Sequence, residues 1–230
     1  MILTMALYES RKEEVQFFYK ILNDIMKPNT SIKTEDNQRF IRILKSNFLL
    51  MLYNLIESCI KKGFEEIYEI VQAYEIVQAD GISYNQASQA LRDIWSNYEI
   101  SKAHKSTAKI ETYEKTVRDI IEKVISNTPL FLVREIVEKG GTLDARLIEE
   151  LLNKHDINFT DTNVGDKSHI LMVKTKRNSL AHGDESFDEA ARDLVLGDLE
   201  KVMNEVLIFV KDVINGIKEY CDNKFYAIEK

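Results

Sequence analysis

The sequence predicts an all-α fold: a helical bundle with an inserted helical segment in its middle. Three observations carry this expectation. Only 2 prolines and 8 glycines occur in 230 residues, so long helices meet few interruptions. Apolar residues make up 44% of the chain, enough for a continuous core, and they recur at helical spacing. No strand pattern of comparable strength is present. The expected organisation is a single helical domain over 1–230, with roughly 64–160 partly an insertion or helical subdomain.

The elements follow in order. A first helix is expected from about Met5 to Met26, with Leu7, Val15, Phe18, Ile21, Leu22 and Ile25 on helical spacing. Pro28, Asn29 and Ser31 break it. Thr34 suits the N-cap of a second helix, with Glu35 and Asp36 favourable in its first turn. That helix is apolar nearly all round between Phe48 and Ile60, which puts it at the bundle centre, and it is expected to end near Gly63. The six residues YEIVQA occur twice, at Tyr68–Ala73 and Tyr74–Ala79. A six-residue step turns a helix by about 240°, so the two copies read as a local duplication within one helix that ends at Asp80-Gly81.

Ser83 is expected to begin a helix carrying Ala87, Leu91, Ile94 and Trp95, and a polar-faced helix follows from about Ser106 to Ile125. Gly140, Gly141 and Thr142 divide two shorter helices, the second being Leu143–Asn153, and Asn158 to Asp166 reads as an exposed loop. A helix over Ser168 to His182 comes next. Ser186 and Glu189 have capping-box spacing, so a further helix is expected to start there, pause near Gly197 and run on to about Tyr226. Its apolar positions, among them Val202, Val206, Phe209, Val213 and Ile217, suit core or dimer contact better than a ligand pocket.

Charge and composition narrow the function classes. A formal net charge of -7 argues against general coating of phosphates, so any nucleic-acid contact must be local. Cys59 and Cys221 have no CxxC partner and read as buried, reduced thiols. His104, His155 and His169 lack metal-ligand spacing, and Gly140-Gly141 is not followed by the Lys-Ser/Thr of a phosphate loop. No cofactor is expected. Met1 to Lys12 lacks the pattern of a signal peptide, and no run of 18 uninterrupted apolar residues occurs, so neither secretion nor a membrane span is expected and the cytoplasm is the default.

The stretch with chemical content is Arg177-Asn178-Ser179-Leu180-Ala181-His182-Gly183. Asn178 and His182 are four apart, about 40° around a helix, so the amide is placed to orient the imidazole. Arg177 and His182 diverge by about 140°, a gap that the arginine stem partly closes. Gly183 suggests that the helix stops just after the histidine, which then sits at the negative end of the dipole. Arginine and histidine together suit metal-independent cleavage of RNA. Attack by the 2′-hydroxyl needs a base, an acid and positive charge at the phosphate. Histidine serves either proton-transfer role near neutral pH, and arginine forks onto phosphate oxygens. One chain offers one such histidine, so a symmetric dimer has a chemical reason. Lys167, Lys174 and Lys176, with His169 among them, add a basic strip, which taken alone is equally the solvated face of a helix. Taken alone, His182 would be an ordinary helix-terminal histidine.

At these residues the sequence resembles the HEPN superfamily, whose motif runs from an arginine and a polar residue to a histidine a few positions on. RNSLAHG followed by ESF is similar to the prokaryotic HEPN-like nucleases of defence and toxin modules. Leu49–Cys59, LLMLYNLIESC, resembles that branch's early core helix, and Gly140 to Leu152, GGTLDARLIEELL, is similar to it as well. The resemblance implies a HEPN-like antiparallel helical core, dimerisation through the motif helices and metal-independent endoribonuclease activity. It implies that Arg177 stabilises phosphate charge, His182 exchanges protons, Asn178 fills the polar position and Glu57 is an additional polar residue of the groove. Lys167, Lys174 and Lys176 would contact RNA, and an antitoxin or defence-system protein would be a further partner. For Glu57 a structural salt bridge weighs slightly more than a catalytic role, because a carboxylate among Tyr53, Leu55 and Ile56 needs a partner. The rival function is a non-catalytic HEPN module that binds RNA or a partner protein; a purely structural helical dimer is a third.

Overall fold

A computed structural model describes residues 2–27, 34–72, 81–103, 110–133, 143–162 and 167–228. The described residues form seven helices and no strands: α1 (Ile2–Met26), α2 (Glu35–Gln72), α3 (Gln89–Ala103), α4 (Ile110–Ile125), α5 (Ala145–Lys154), α6 (Ser168–His182) and α7 (Leu196–Asp222). The all-α expectation holds.

Helix α2 is the axis of the molecule. Phe48, Leu49, Leu52, Tyr53, Leu55, Ile56, Cys59, Ile60 and Phe64 are all buried, so its apolar positions point in every direction. Such a helix is stable in water only when other helices surround it, and α1, α6 and α7 pack against it. By length and composition alone α2 could cross a membrane; here its neighbours in the bundle supply the apolar surroundings. From α1, Tyr8, Val15 and Leu22 point inward at a seven-residue step. From α7, Val202, Val206, Phe209, Val213 and Ile217 fill the other side, which makes these expected positions core. Burying each such side chain is worth about 1.5–3 kcal/mol. Both cysteines are free and buried.

Thr34 caps α2 as expected, its hydroxyl accepting from the Asn37 N–H at 3.3 Å. The expected stop at Gly63 does not occur, and α2 runs on to Gln72. Gly63 lies where α7 crosses, and a Cβ there would meet Ile217 Cδ1 at 2.9 Å. The glycine answers a close helix–helix approach, not a chain end. The first YEIVQA copy supplies Tyr68 and Val71 to the core. The whole of the second copy, with Ala73 and Asp80, lies outside the described residues, as do residues 28–33 and the glycine pair at 140–141.

The helix expected from Ser83 begins only at Gln89. Residues 83–87 are drawn into bridges instead: Ser83 pairs with Pro129 and Ala87 with Ala227. Helices α3 and α4 pack on each other. The helix expected from Ser186 is also absent. Ser186 donates its hydroxyl to Glu189 Oε2 at 2.6 Å, so the side chain is not capping a backbone N–H. Residues 187–193 form turns, held onto α2 by Lys45 Nζ, which donates to the carbonyls of Arg192 (2.9 Å) and Leu194 (2.7 Å), and by the Ser46 hydroxyl on the Phe187 carbonyl (2.7 Å). These tertiary bonds use carbonyls that a helix would have kept. The loop at 158–162 is likewise less free than expected, because the N–H and hydroxyl of Thr162 both donate to Asp212 Oδ2 on α7.

Candidate functional site

Helix α6 spans the expected Ser168–His182 and carries the motif at its C-terminal end. Gly183 closes it with φ +79°, and its N–H donates to the Ser179 carbonyl. No atom lies within 4 Å of where a Cβ would stand on Gly183. The requirement for glycine is therefore conformational, a left-handed residue that terminates the helix directly after His182.

The inward face of α6 is marked by its buried residues Ile170 and Val173. Arg177 continues this face, since seven residues bring the helix within about 20° of its starting direction. The arginine is thereby directed toward α2, and its Cζ lies 4.9 Å from the centroid of the Tyr53 ring. A cation over an aromatic face in this way is held by about 0.5–2 kcal/mol, while the N–H donors point outward in the guanidinium's own plane. Arg177 Nη1 also donates to Asn178 Oδ1 at 3.2 Å. Asn178 thus orients the guanidinium, where the sequence had suggested the imidazole.

Tyr53 itself is buried, and its hydroxyl accepts from the Leu143 N–H at 3.2 Å. Burial, and then the Glu57 carboxylate, raise its phenol above the usual value against the opposing Leu143 N–H and Arg177 charge. It stays neutral near pH 7, and its ring lies beneath the Arg177 guanidinium. Sequence reasoning gave Tyr53 no role at the site. The signal available was the phase of Arg177 on the Ile170–Val173 face, which says the side chain points inward but not onto which ring.

His182 is exposed at the last turn of α6, and its side chain has no polar partner among the described residues. The lysines of the strip behave differently from Arg177. Lys174 pairs with Asp144 at 2.7 Å and Lys176 with Glu185 at 2.7 Å. Lys167 pairs with Glu149 and, at 2.7 Å, with Asp161. His169 Nδ1 lies 2.7 Å from Glu205. Asp144 is also the N-cap of α5, accepting from Leu147 N at 2.8 Å. Burial would raise its carboxyl, but Lys174 and the Leu147 N–H outweigh it and hold it below its ordinary value. The strip is thus largely a set of tertiary ion pairs. Of the three lysines and Arg177, the arginine alone has no carboxylate partner among the described residues. Glu57 sits one turn beyond Tyr53 on α2 and pairs with Lys61 at 2.7 Å, the salt bridge that the sequence reading weighed.

A family model for MAE_28990-like HEPN proteins matches residues 7–226, nearly the whole chain. The chain belongs to this HEPN family. The match takes in all three blocks of sequence that resembled the superfamily, at 49–59, 140–152 and 177–187. No curated protein and no solved structure matches this HEPN chain. In this HEPN module all three blocks meet at one place: Arg177 lies on Tyr53, and the Tyr53 hydroxyl holds the Leu143 N–H.

Proposed function

We propose that this HEPN protein is a metal-independent endoribonuclease of the cytoplasm, acting as a homodimer whose two motif helices share one RNA cleft. The observation that carries the reading is Arg177, a guanidinium with no carboxylate partner among the described residues, stacked on a buried tyrosine five residues before an exposed histidine at the helix end. A structural arginine would normally be neutralised by an acid, as the lysines around it are. This one is held ready for an anion.

In the reaction, one His182 takes the proton of a 2′-hydroxyl as its oxygen attacks the adjacent phosphorus. The bond to the 5′-oxygen breaks, and the partner subunit's His182 protonates that oxygen. The products are a 2′,3′-cyclic phosphate and a 5′-hydroxyl, so protons and electrons balance without redox chemistry. Arg177 offsets the charge that builds on the non-bridging oxygens. Such an enzyme suits a toxin or antiviral effector, with an antitoxin or defence protein holding it in check.

The test uses single-stranded RNA of mixed sequence in EDTA, with the wild type, Arg177→Ala and His182→Ala. Cleavage that persists in chelator and disappears in both variants is the expected result. Tight RNA binding without products would replace the enzyme by a binding module, a reading to which the neutralised lysines lend nothing.

A further inference from the structure

A cleft of about 440 Å³ opens between α1 and α2. Its lining combines Val15 and Met51, which are apolar, with Asn54 and Ser58, which are polar. Charged residues flank it as two closed ion pairs, Arg11 with Glu14 at 2.7 Å and Glu57 with Lys61 at 2.7 Å. The pairs neutralise each other, so the cleft offers no net charge to attract a phosphate. Its volume is in the range of small-molecule sites. An apolar lining for a flat face, polar groups for an edge and no net charge suit a nucleobase.

The cleft adjoins the arginine site through α2. Taking Tyr53 as the origin, Glu57 stands about 40° round the helix, Lys61 about 80° and Asn54 about 100°. Glu57 therefore lies between the ring that carries Arg177 and the cleft, and its carboxylate acts on the Tyr53 phenol. Asn54 is exposed and its amide has no partner among the described residues. A side-chain amide offers one donor and one acceptor side by side, the pattern that pairs with the N6 and N7 of adenine.

We infer that the α1–α2 cleft receives a base of the RNA flanking the scissile bond, with Asn54 selecting adenine there. The inference rests on RNA being the ligand of the Arg177 site. Two measurements separate the two ideas: mapping of cut positions in a random-sequence RNA, and binding of short adenine-rich and cytosine-rich oligonucleotides to the His182→Ala protein. Both are made with Asn54 intact, with Asn54→Ala and with Asn54→Asp.

The expected result is adenine enriched at a fixed offset from the cut, selectivity reduced at least about fivefold by Asn54→Ala, and a shift toward cytosine in Asn54→Asp, whose carboxylate accepts from the cytosine amine. Cutting that needs Arg177 but has the same base profile in all three proteins would overturn the cleft and leave the nuclease standing. An Asn54-dependent adenine preference in binding, with no cutting by the wild type, would keep the cleft and remove the nuclease. Neither binding nor cutting would remove both.

Discussion

Arg177 and Tyr53 act as a unit, so substitutions at either residue separate charge from geometry. Arg177→Lys keeps the charge but loses the planar fork and the stack. Cleavage of single-stranded RNA should fall by about a hundredfold or more, the scale of losing a group that stabilises developing charge, with the circular dichroism unchanged. Tyr53→Phe retains the ring under the guanidinium and loses only the bond to Leu143 N. It should stay close to wild-type turnover while its Tm drops, whereas Tyr53→Leu should lose both. Equal turnover in the Phe and Leu variants would show that the ring does not position the arginine. His155 governs acid stability. Its imidazole is buried between Phe64 and Tyr68, bonded to Tyr68 Oη and the Leu151 carbonyl, and burial lowers its pKa from 6.5 to about 4. The unfolded chain therefore takes up this proton first. The contribution is complete above about pH 6.5 and disappears as the pH falls to about 4, a loss of about 3 kcal/mol. Denaturant melts of wild type and His155→Gln across that window should show a shallower slope for the variant.

At the scale of elements, two tightly packed glycines, one under a crossing helix and one under a loop, should respond differently to the same change. A Cβ on Gly63 would meet the flexible end of Ile217, at 2.9 Å. On Gly216 it would meet Phe159 Cβ at 2.5 Å and the Asn158 carbonyl at 2.7 Å, both close to the backbone of the loop pinned on α7. Gly63→Ala also gains about 1 kcal/mol of helix propensity, which offsets much of the crowding. Gly216→Ala should lose about 1–3 kcal/mol or more, because the loop itself must move. Urea unfolding midpoints check the contrast, and equal effects would mean that the loop yields as readily as a side chain. The site is an affair of elements too. Helix α6 buries only Ile170 and Val173, so the angle of its motif end depends on α2 beneath it and on the 187–193 turns tied to α2 beyond it.

For the whole molecule the net charge is -7, and around Arg177 the lysines at 167, 174 and 176 are already held by acids, which leaves little free positive charge there. If two Arg177 residues provide the phosphate contacts, the salt dependence of RNA binding should be shallow. The slope expected for single strands is about −0.7 per contact, so log K against log salt should fall no more steeply than about −2. A slope several times steeper would mean that the paired lysines release their carboxylates and grip the strand. The dimer adds a second check: specific activity should decline on dilution through the dissociation range while helical content stays constant. Constant activity with only monomer present would rule out a shared site.

The sequence by itself determined the all-α class, the central place of the second helix, the cap at Thr34 and the limits of α6, since each follows from local propensity, periodicity or a capping residue. It also placed Arg177, His182 and Gly183 at one helix end. Only the tertiary structure decided what those residues meet. A glycine required by a crossing helix, as Gly63 is, looks in one dimension like one that ends a chain segment. Ser186 and Glu189 have the local spacing of a helix start, but Lys45 and Ser46, far away in sequence, claim the carbonyls of that segment. The basic strip looked available for the same reason: the carboxylates that neutralise Lys167 and Lys174 come from α5 and its surroundings. Ion pairs and stacking across helices depend on which faces pack together, and a helical period fixes a face without naming its partner.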